Sequence, residues 1–164
     1  MIVVSDTTPL IALMKASQLE LLQKLFGKIL IPKAVYDELT SNATFQDEAN
    51  TVKSCPFLEV VTIPDSKTVD ILRRATGLDL GESEAIVYAE TNSADILLMD
   101  ERKGRHVAIT MGLPVVGSIG VLNEAHASGL LTSEAFRTAI TRMQDAGIRL
   151  SERLIQGILE ELKD

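Results

Sequence analysis

Short runs of apolar residues alternate along the chain with longer stretches in which apolar residues recur at helical spacing. The short runs predict strands at 2–5, 28–31, 58–63, 95–99 and 114–116. The longer stretches predict one or two helices over 9–24 and single helices at 33–40, 45–54, 66–75, 80–91 and 102–111. From residue 119 onward we expect three more helices, which break near Gly129 and Gly147. Pro32 fits the first turn of the helix that follows it, and Gly77 ends the helix 66–75.

Strands that alternate with helices are typical of a parallel sheet with helices on both faces. The fold class that we predict is therefore α/β, a three-layer α/β/α sandwich. A length of 164 residues suits one domain, so 1–164 is expected to form a single unit with 119–164 as its helical C-terminal part. The aromatic content of 4%, without Trp, favours helices on a buried sheet over a β-sandwich.

Cysteine content, hydropathy and charge narrow the range of functions that the sequence allows. Cys55 is the only cysteine of the sequence, which excludes an internal disulfide framework and a cysteine zinc site. The first residues do not show the basic region followed by an apolar region that is typical of a signal peptide. No apolar run reaches the ~20 residues that a membrane span needs. The expected location is therefore the cytoplasm, with no membrane partner. The net charge of −7 disfavours a protein that coats nucleic acid, although an acidic nuclease site would itself add negative charge.

Four acidic residues fall at positions where an open parallel sheet binds ligands, outside the carboxyl ends of its strands. Asp6 directly follows the first predicted strand, and Asp100 directly follows the fourth. Glu38 lies two turns into the helix after the second strand, and Glu82 lies in the first turn of a later helix. Carboxylates held close together repel one another unless a cation compensates, and Mg²⁺ and Mn²⁺ prefer such oxygen ligands. Two such ions can activate a water and stabilise the leaving oxygen of a phosphodiester.

Each of these acids also has a simpler structural interpretation. Asp6 has the position of a helix cap, as does Asp100 ahead of the next helix. Glu38 fits a solvated helix residue. Asp79 and Glu82 have the spacing of a capping box, in which Glu82 would serve the start of its helix. Only the combination of the four favours a metal site.

Four blocks of sequence in this order resemble those of the PIN-domain family. They are Asp-Thr-Thr-Pro-Leu-Ile at 6–11, Ile-Pro-Lys-Ala-Val-Tyr-Asp-Glu-Leu at 31–39, Gly-Glu-Ser-Glu-Ala-Ile at 81–86 and Leu-Leu-Met-Asp at 97–100. More narrowly, they are similar to a prokaryotic subgroup close to the VapC-type toxin ribonucleases of type II toxin–antitoxin pairs. The resemblance spans roughly residues 1 to 130.

The resemblance implies a five-stranded parallel sheet flanked by helices and the cleavage of RNA with Mg²⁺ or Mn²⁺. It places the four acids of the family on Asp6, Glu38, Glu82 and Asp100, as catalytic and metal-binding residues. It also implies a cognate antitoxin as a possible partner. An alternative that the sequence leaves open is a catalytically weak or inactive PIN-like module that binds RNA or a protein.

Two departures from the family pattern keep that alternative open. Many active members carry Asp where this chain has Glu82, and many carry Thr or Ser where it has Leu98. Glu84 and Glu101 are spare carboxylates, which either substitute in the site or face solvent.

A basic cluster follows Asp100 and could hold RNA phosphates or simply balance surface charge. The residues predicted to contact substrate are Thr7, Arg102, Lys103, Arg105 and Ser118. Thr7 and Thr8 fit the capping of a helix better than a hydrogen bond to the site, and His106 fits a surface residue better than a proton shuttle.

Other classes of protein that carry an Asp directly after the first strand are less compatible with this sequence. A phosphatase of the haloacid-dehalogenase type needs a second Asp two residues later, where this chain has Thr8. No glycine-rich phosphate loop follows the first strand. Apolar stripes in the last helices fit either the core or the seam of a homodimer; they consist of Phe136, Ile140, Leu150, Leu154, Ile158 and Leu159.

Overall fold

We describe the protein from a computed structural model that covers residues 1–41 and 46–162. The strands are Val3–Ser5 (β1), Ile29–Pro32 (β2), Leu58–Val61 (β3), Ile96–Leu98 (β4) and Val115–Val116 (β5). The helices are Thr7–Lys15 (α1), Glu20–Phe26 (α2), Lys33–Ser41 (α3), Gln46–Ser54 (α4), Ser66–Thr76 (α5), Leu80–Thr91 (α6), Arg102–Thr110 (α7), Ser118–Ala127 (α8), Ser133–Asp145 (α9) and Glu152–Glu161 (α10).

The strands form a parallel sheet in the order β3-β2-β1-β4-β5. β1 lies at the centre, and the chain adds β2 and β3 on one side of it and β4 and β5 on the other. The strand order therefore reverses between β1 and β4. In open α/β sheets the crevice at such a switch point is where ligands bind. The predicted α/β fold with a five-stranded parallel sheet is confirmed.

Helices cover both faces of the sheet because successive residues of a buried strand point to opposite sides. Val3 belongs to one apolar core and the next residue, Val4, to the other. The first core contains residues of α1, α2, α8, α9 and α10, and the second contains residues of α6 and α7. This arrangement is the three-layer sandwich that the sequence predicts.

The C-terminal helices contribute to the first of these cores. Phe136, Ile140 and Ile158 are buried, and Leu150 and Leu159 are partly buried against them. The core interpretation of the apolar stripes is therefore confirmed for these residues. Leu154 is the exception, since 49% of it is exposed. A homodimer seam stays a prediction.

Most predicted elements match the structure to within two residues, and α6 has the predicted bounds. One detail is wrong: Pro32 does not lie in the first turn of α3 but ends β2, where it pairs with Val61. A proline is tolerated there because a strand end needs few ladder hydrogen bonds. The predicted start of α4 at Phe45 lies outside the described residues. Among the helices that are described, none combines the length and the apolar character needed to cross a membrane.

Candidate active site

The end of β1 places Asp6 at the switch point of the sheet. Ser5 pairs with Leu98 of the neighbouring strand, and the backbone N–H of Asp6 donates to the Leu98 carbonyl at 2.9 Å. Asp6 is only 3% exposed and occupies the N-cap position of α1. Its side chain makes no capping hydrogen bond, so the capping interpretation does not account for this carboxylate.

Glu82 is held by the capping box that opens α6. Its backbone N–H donates to Asp79 Oδ1 at 2.8 Å, and its Oε2 accepts from the Asp79 backbone N–H at 3.0 Å. The capping prediction is therefore confirmed. The same side chain is nevertheless buried and close enough to Asp6 for its charge to act on that residue. Glu82 thus opens its helix and lines the acidic pocket at once.

Glu38 reaches the same pocket from α3. Its Oε2 accepts a short hydrogen bond from Thr7 Oγ1, at the start of α1. Gly81 of α6 lies beside this side chain, since a Cβ built there would be in ordinary van der Waals contact with Val35, at 3.4 Å, and with Glu38 Oε2, at 3.6 Å. Glu38 is an exposed residue, in agreement with its interpretation as a solvated helix residue. Its carboxylate is nevertheless oriented by the hydrogen bond from Thr7.

Asp100 lies where the chain leaves β4, and it is bound to the start of α8 instead of capping α7. Its Oδ1 accepts from the Ser118 backbone N–H at 2.6 Å, and the Ser118 side chain adds a further hydrogen bond. The N-cap of α7 is Glu101, so capping of that helix by Asp100 is wrong. Arg105 lies beside Asp100 and donates from Nη1 to the Met99 carbonyl at 2.9 Å.

Burial shifts the protonation of the acids toward the neutral form. Burial raises the pKa of Asp6 to about 8; the Thr7 backbone N–H opposes this shift, and the charges of Glu82, Asp79 and Glu38 add to it. A carboxyl group with such a pKa binds a proton at neutral pH unless a cation takes the proton's place. The pocket therefore favours a positive charge next to Asp6.

The pKa values of Glu82 and Asp100 are raised as well. The pKa of Glu82 is raised to about 7, chiefly by burial and also by a hydrogen bond with Glu101 that requires a shared proton, while the Asp79 backbone N–H opposes the shift. Burial also raises the pKa of Asp100, against the lowering effect of the Ser118 hydrogen bonds and the Arg105 charge. Asp100 Oδ2 is buried and has no hydrogen-bond partner within the described residues.

Glu101 connects the two parts of the site, a role that its position in the sequence left open. It hydrogen-bonds Glu82, its charge acts on Asp100, and Thr8 Oγ1 lies 3.5 Å from its Oε1. The other spare carboxylate, Glu84, does not join the site, because it accepts from the backbone N–H of Ala34 at 3.0 Å. Glu84 thus satisfies a donor at the start of α3.

The sequence predicts only a capping role for Asp79, whereas in the structure it is also an electrostatic neighbour of Asp6 and Glu82. The spacing of three residues between Asp79 and Glu82 was the sequence signal that could have indicated this role. A cap residue at the start of α6 has to lie near any site residue three positions later.

The residues predicted to contact substrate separate into two groups. Arg102, Arg105 and Ser118 line one open groove together with Asp100, whereas Thr7 is buried and bound to Glu38. The remaining residue, Lys103, lies apart. Its Nζ is 2.8 Å from where a Cβ on Gly77 would be, against the C-terminal end of α5.

The donors of this site fit a hard divalent cation. They are carboxylate oxygens, two of them on buried residues, and one buried oxygen of Asp100 has no partner, which native proteins rarely allow. Over 1–41 and 46–162, no three carboxylate, imidazole or thiol groups are arranged to hold one ion. Such a site suits an ion that uses one or two carboxylates and completes its shell with water and substrate phosphate, as Mg²⁺ usually does.

These features define an open parallel α/β protein with an acidic pocket at its topological switch point. The chain belongs to the PIN-domain family, since the family DUF3368, described as a PIN domain, matches residues 2–164. A comparison with curated proteins found no match. PIN domains are generally nucleases and typically use divalent metal ions.

Proposed function

We propose that this protein is an endoribonuclease that hydrolyses RNA phosphodiester bonds with Mg²⁺ or Mn²⁺, in the cytoplasm. The observation that carries the proposal is the environment of Asp6, a buried carboxyl group among other acids with a pKa raised to about 8. A stable fold gains nothing from such a group. A site that has to attract a cation does.

The cation would lie in the pocket formed by Asp6, Glu38, Glu82 and Asp100, where one or two of these carboxylates would bind it directly and the others would act through its bound waters. When bound, a divalent ion lowers the pKa of an attacking water and neutralises charge on the phosphate. The chain's own contribution is to orient these carboxylates through neighbours that already contact them: Thr7 for Glu38, Asp79 for Glu82, and Ser118 for Asp100. Such orienting contacts commonly account for ten- to hundredfold in metal affinity or activity, by order of magnitude.

Substrate phosphates would meet Arg102 and Arg105, which line the groove beside Asp100.

We extend the proposal to a toxin role in a type II toxin–antitoxin pair, which rests on the resemblance of the four acidic blocks. An antitoxin would then be a protein that covers the acidic pocket.

Cleavage of a labelled single-stranded RNA in the presence of Mn²⁺ tests the proposal. We expect cleavage by the wild type, none in EDTA, and a rate lower by roughly a hundredfold or more for Asp6→Asn. A DNA of the same sequence should resist cleavage. Asp145→Asn, which removes the same charge from an exposed helix end, is the matched control and should cleave normally. Equal cleavage by the wild type and Asp6→Asn, or none by either, would contradict the proposal.

A second candidate function is a PIN-like module that binds RNA or a protein without cleaving. It is favoured by Leu98, which is fully buried where active members often carry a polar residue, and by the engagement of Glu82 in its capping box. The same assay separates the two functions, since this module would retain RNA intact in the presence of Mn²⁺.

Gly117→Ala is expected to impair cleavage while the fold is retained. A Cβ on Gly117 would lie 2.8 Å from Asp100 Oδ1 and 3.1 Å from Arg105 Nη1, so the carboxylate has to move. The backbone of Gly117, at φ −92° and ψ 175°, is accessible to alanine. We expect kcat to fall by roughly ten- to hundredfold.

Thr138→Ala is the control for this variant, because it changes one exposed side chain of α9 outside the groove that Asp100 and Arg105 line. It should leave the cleavage rate unchanged. Full activity in Gly117→Ala, at an unaltered thermal midpoint, would show that the position of Asp100 does not matter for the reaction.

A further inference from the structure

A groove of about 1930 Å³ adjoins the acidic pocket. Its lining includes Asp100, Glu101 and Ser118 from the site, and also Lys24 of α2 and residues of α10 and of the loop before it. Pockets for small molecules usually measure about 300–1,000 Å³. This groove is therefore large enough for several units of a polymer, and it is continuous with the proposed site of cleavage.

The groove reverses the charge balance of the chain. The whole sequence has 16 basic and 23 acidic residues, but the lining of the groove has five basic and four acidic ones. Two of those acids are Asp100 and Glu101 of the site itself. The cations outside the site are Lys24, Arg149 and Arg153. In the part of the chain that the structure describes, none of these three forms an ion pair.

The same groove exposes apolar side chains. Leu130 is 42% exposed and Leu154 is 49% exposed, and both line it. Unstacked bases and riboses of a single strand can cover such surface, whereas a duplex keeps its base faces hidden. Among the described residues that line the groove, Phe26 is the one aromatic residue, so stacking that reads the sequence has little support.

We propose that this groove binds the sugar–phosphate backbone of single-stranded RNA on its way to the acidic pocket, through Lys24, Arg149 and Arg153. The inference rests on the proposed nuclease function for the identity of the bound polymer. It adds that the C-terminal helix α10 is part of the substrate-binding surface. Binding through phosphates makes the affinity dependent on salt and largely independent of sequence.

Fluorescence anisotropy of a labelled twelve-residue oligouridylate, measured in EDTA to prevent cleavage, tests the inference. Arg149→Ala/Arg153→Ala should bind about tenfold more weakly than the wild type at 0.1 M salt. The slope of log affinity against log salt should decrease by about 1.4, because each lost phosphate contact contributes about 0.7. Both residues are exposed, so the fold should persist.

The matched control is Lys53→Ala/Arg142→Ala, which removes the same two charges from exposed positions away from the groove. It should bind as the wild type does, which separates local contacts from net charge. A charge-conserving variant, Arg149→Lys/Arg153→Lys, should recover most of the affinity, since a lysine keeps the charge that meets a phosphate.

Wild-type affinity in Arg149→Ala/Arg153→Ala would overturn the inference and leave the nuclease proposal intact. Tight binding that this variant loses, in a protein that never cleaves RNA with Mn²⁺, would support the groove and overturn the nuclease proposal. A wild type that binds no oligonucleotide at low salt would also overturn the inference.

Discussion

Asp6→Asn is expected to inactivate the protein and, in the absence of metal, to stabilise it. Burial raises the pKa of Asp6 from 3.8 to about 8, and the neighbouring acids add to the shift. Between these two values the folded state holds a proton that the unfolded state has lost. The stability of the wild type therefore falls as the pH rises from about 4 to about 8. At pH 7 the loss is roughly 4 kcal/mol, since each pH unit contributes about 1.4 kcal/mol.

Asparagine carries no proton that has to be retained, so the variant avoids this loss. Urea unfolding in EDTA should show Asp6→Asn as the more stable protein at pH 8, with a smaller difference at pH 5. Addition of Mn²⁺ should stabilise the wild type more than the variant, because a ligand stabilises only the folded state that binds it. Asp145→Asn, at an exposed position, should leave the urea midpoint close to that of the wild type. A variant less stable than the wild type at pH 8 would contradict the assignment.

A residue whose removal costs activity and gains stability is the mark of a site maintained for function. Asp6 meets this description because three features act on one side chain. It follows a central strand, it is buried, and its neighbours have the same charge. A residue that served only as a helix cap would show neither effect, since asparagine caps a helix about as well as aspartate does.

The sequence predicts those parts of the site that depend on strand order alone. Asp6 and Asp100 each follow a short apolar run, and the ends of parallel strands share one edge of a sheet. One residue of the site, Glu101, could not be assigned in this way. Glu101 is an exposed residue, and its contact with Glu82 depends on how α7 packs against α6. No periodicity in the sequence encodes that distance.

The groove was not predictable for a related reason. It combines Lys24, Ser118 and Arg153, which are far apart in the sequence and meet only because α2, α8 and α10 pack on the same face of the sheet. Glu38 shows an intermediate case. Its block of sequence suggested a role, but its hydrogen bond with Thr7 depends on how α3 packs against α1. Local patterns fix the elements, and close packing between them fixes the contacts.

Phe136→Ala is expected to destabilise the whole chain by about 3–5 kcal/mol, the usual cost of truncating a fully buried aromatic residue. Phe136 is 0% exposed, and its ring centroid lies 5.9 Å from that of His126. Its helix, α9, contacts α1, which directly follows the central strand. We propose on this basis that residues 1–164 unfold as one unit, with 119–164 as an integral part.

The two tyrosines of the sequence make this proposal testable, because Tyr36 in α3 and Tyr88 in α6 both lie outside the C-terminal helices. If the chain is one unit, Phe136→Ala shifts tyrosine fluorescence and far-ultraviolet circular dichroism to the same lower urea midpoint. Leu154→Ala, at an exposed position, should shift both by much less. A tyrosine transition that stays at its wild-type midpoint while the dichroism changes would show that the C-terminal helices unfold independently. The groove that α10 borders would then open without loss of the acidic pocket, because the sheet that carries Asp6 and Asp100 would remain folded.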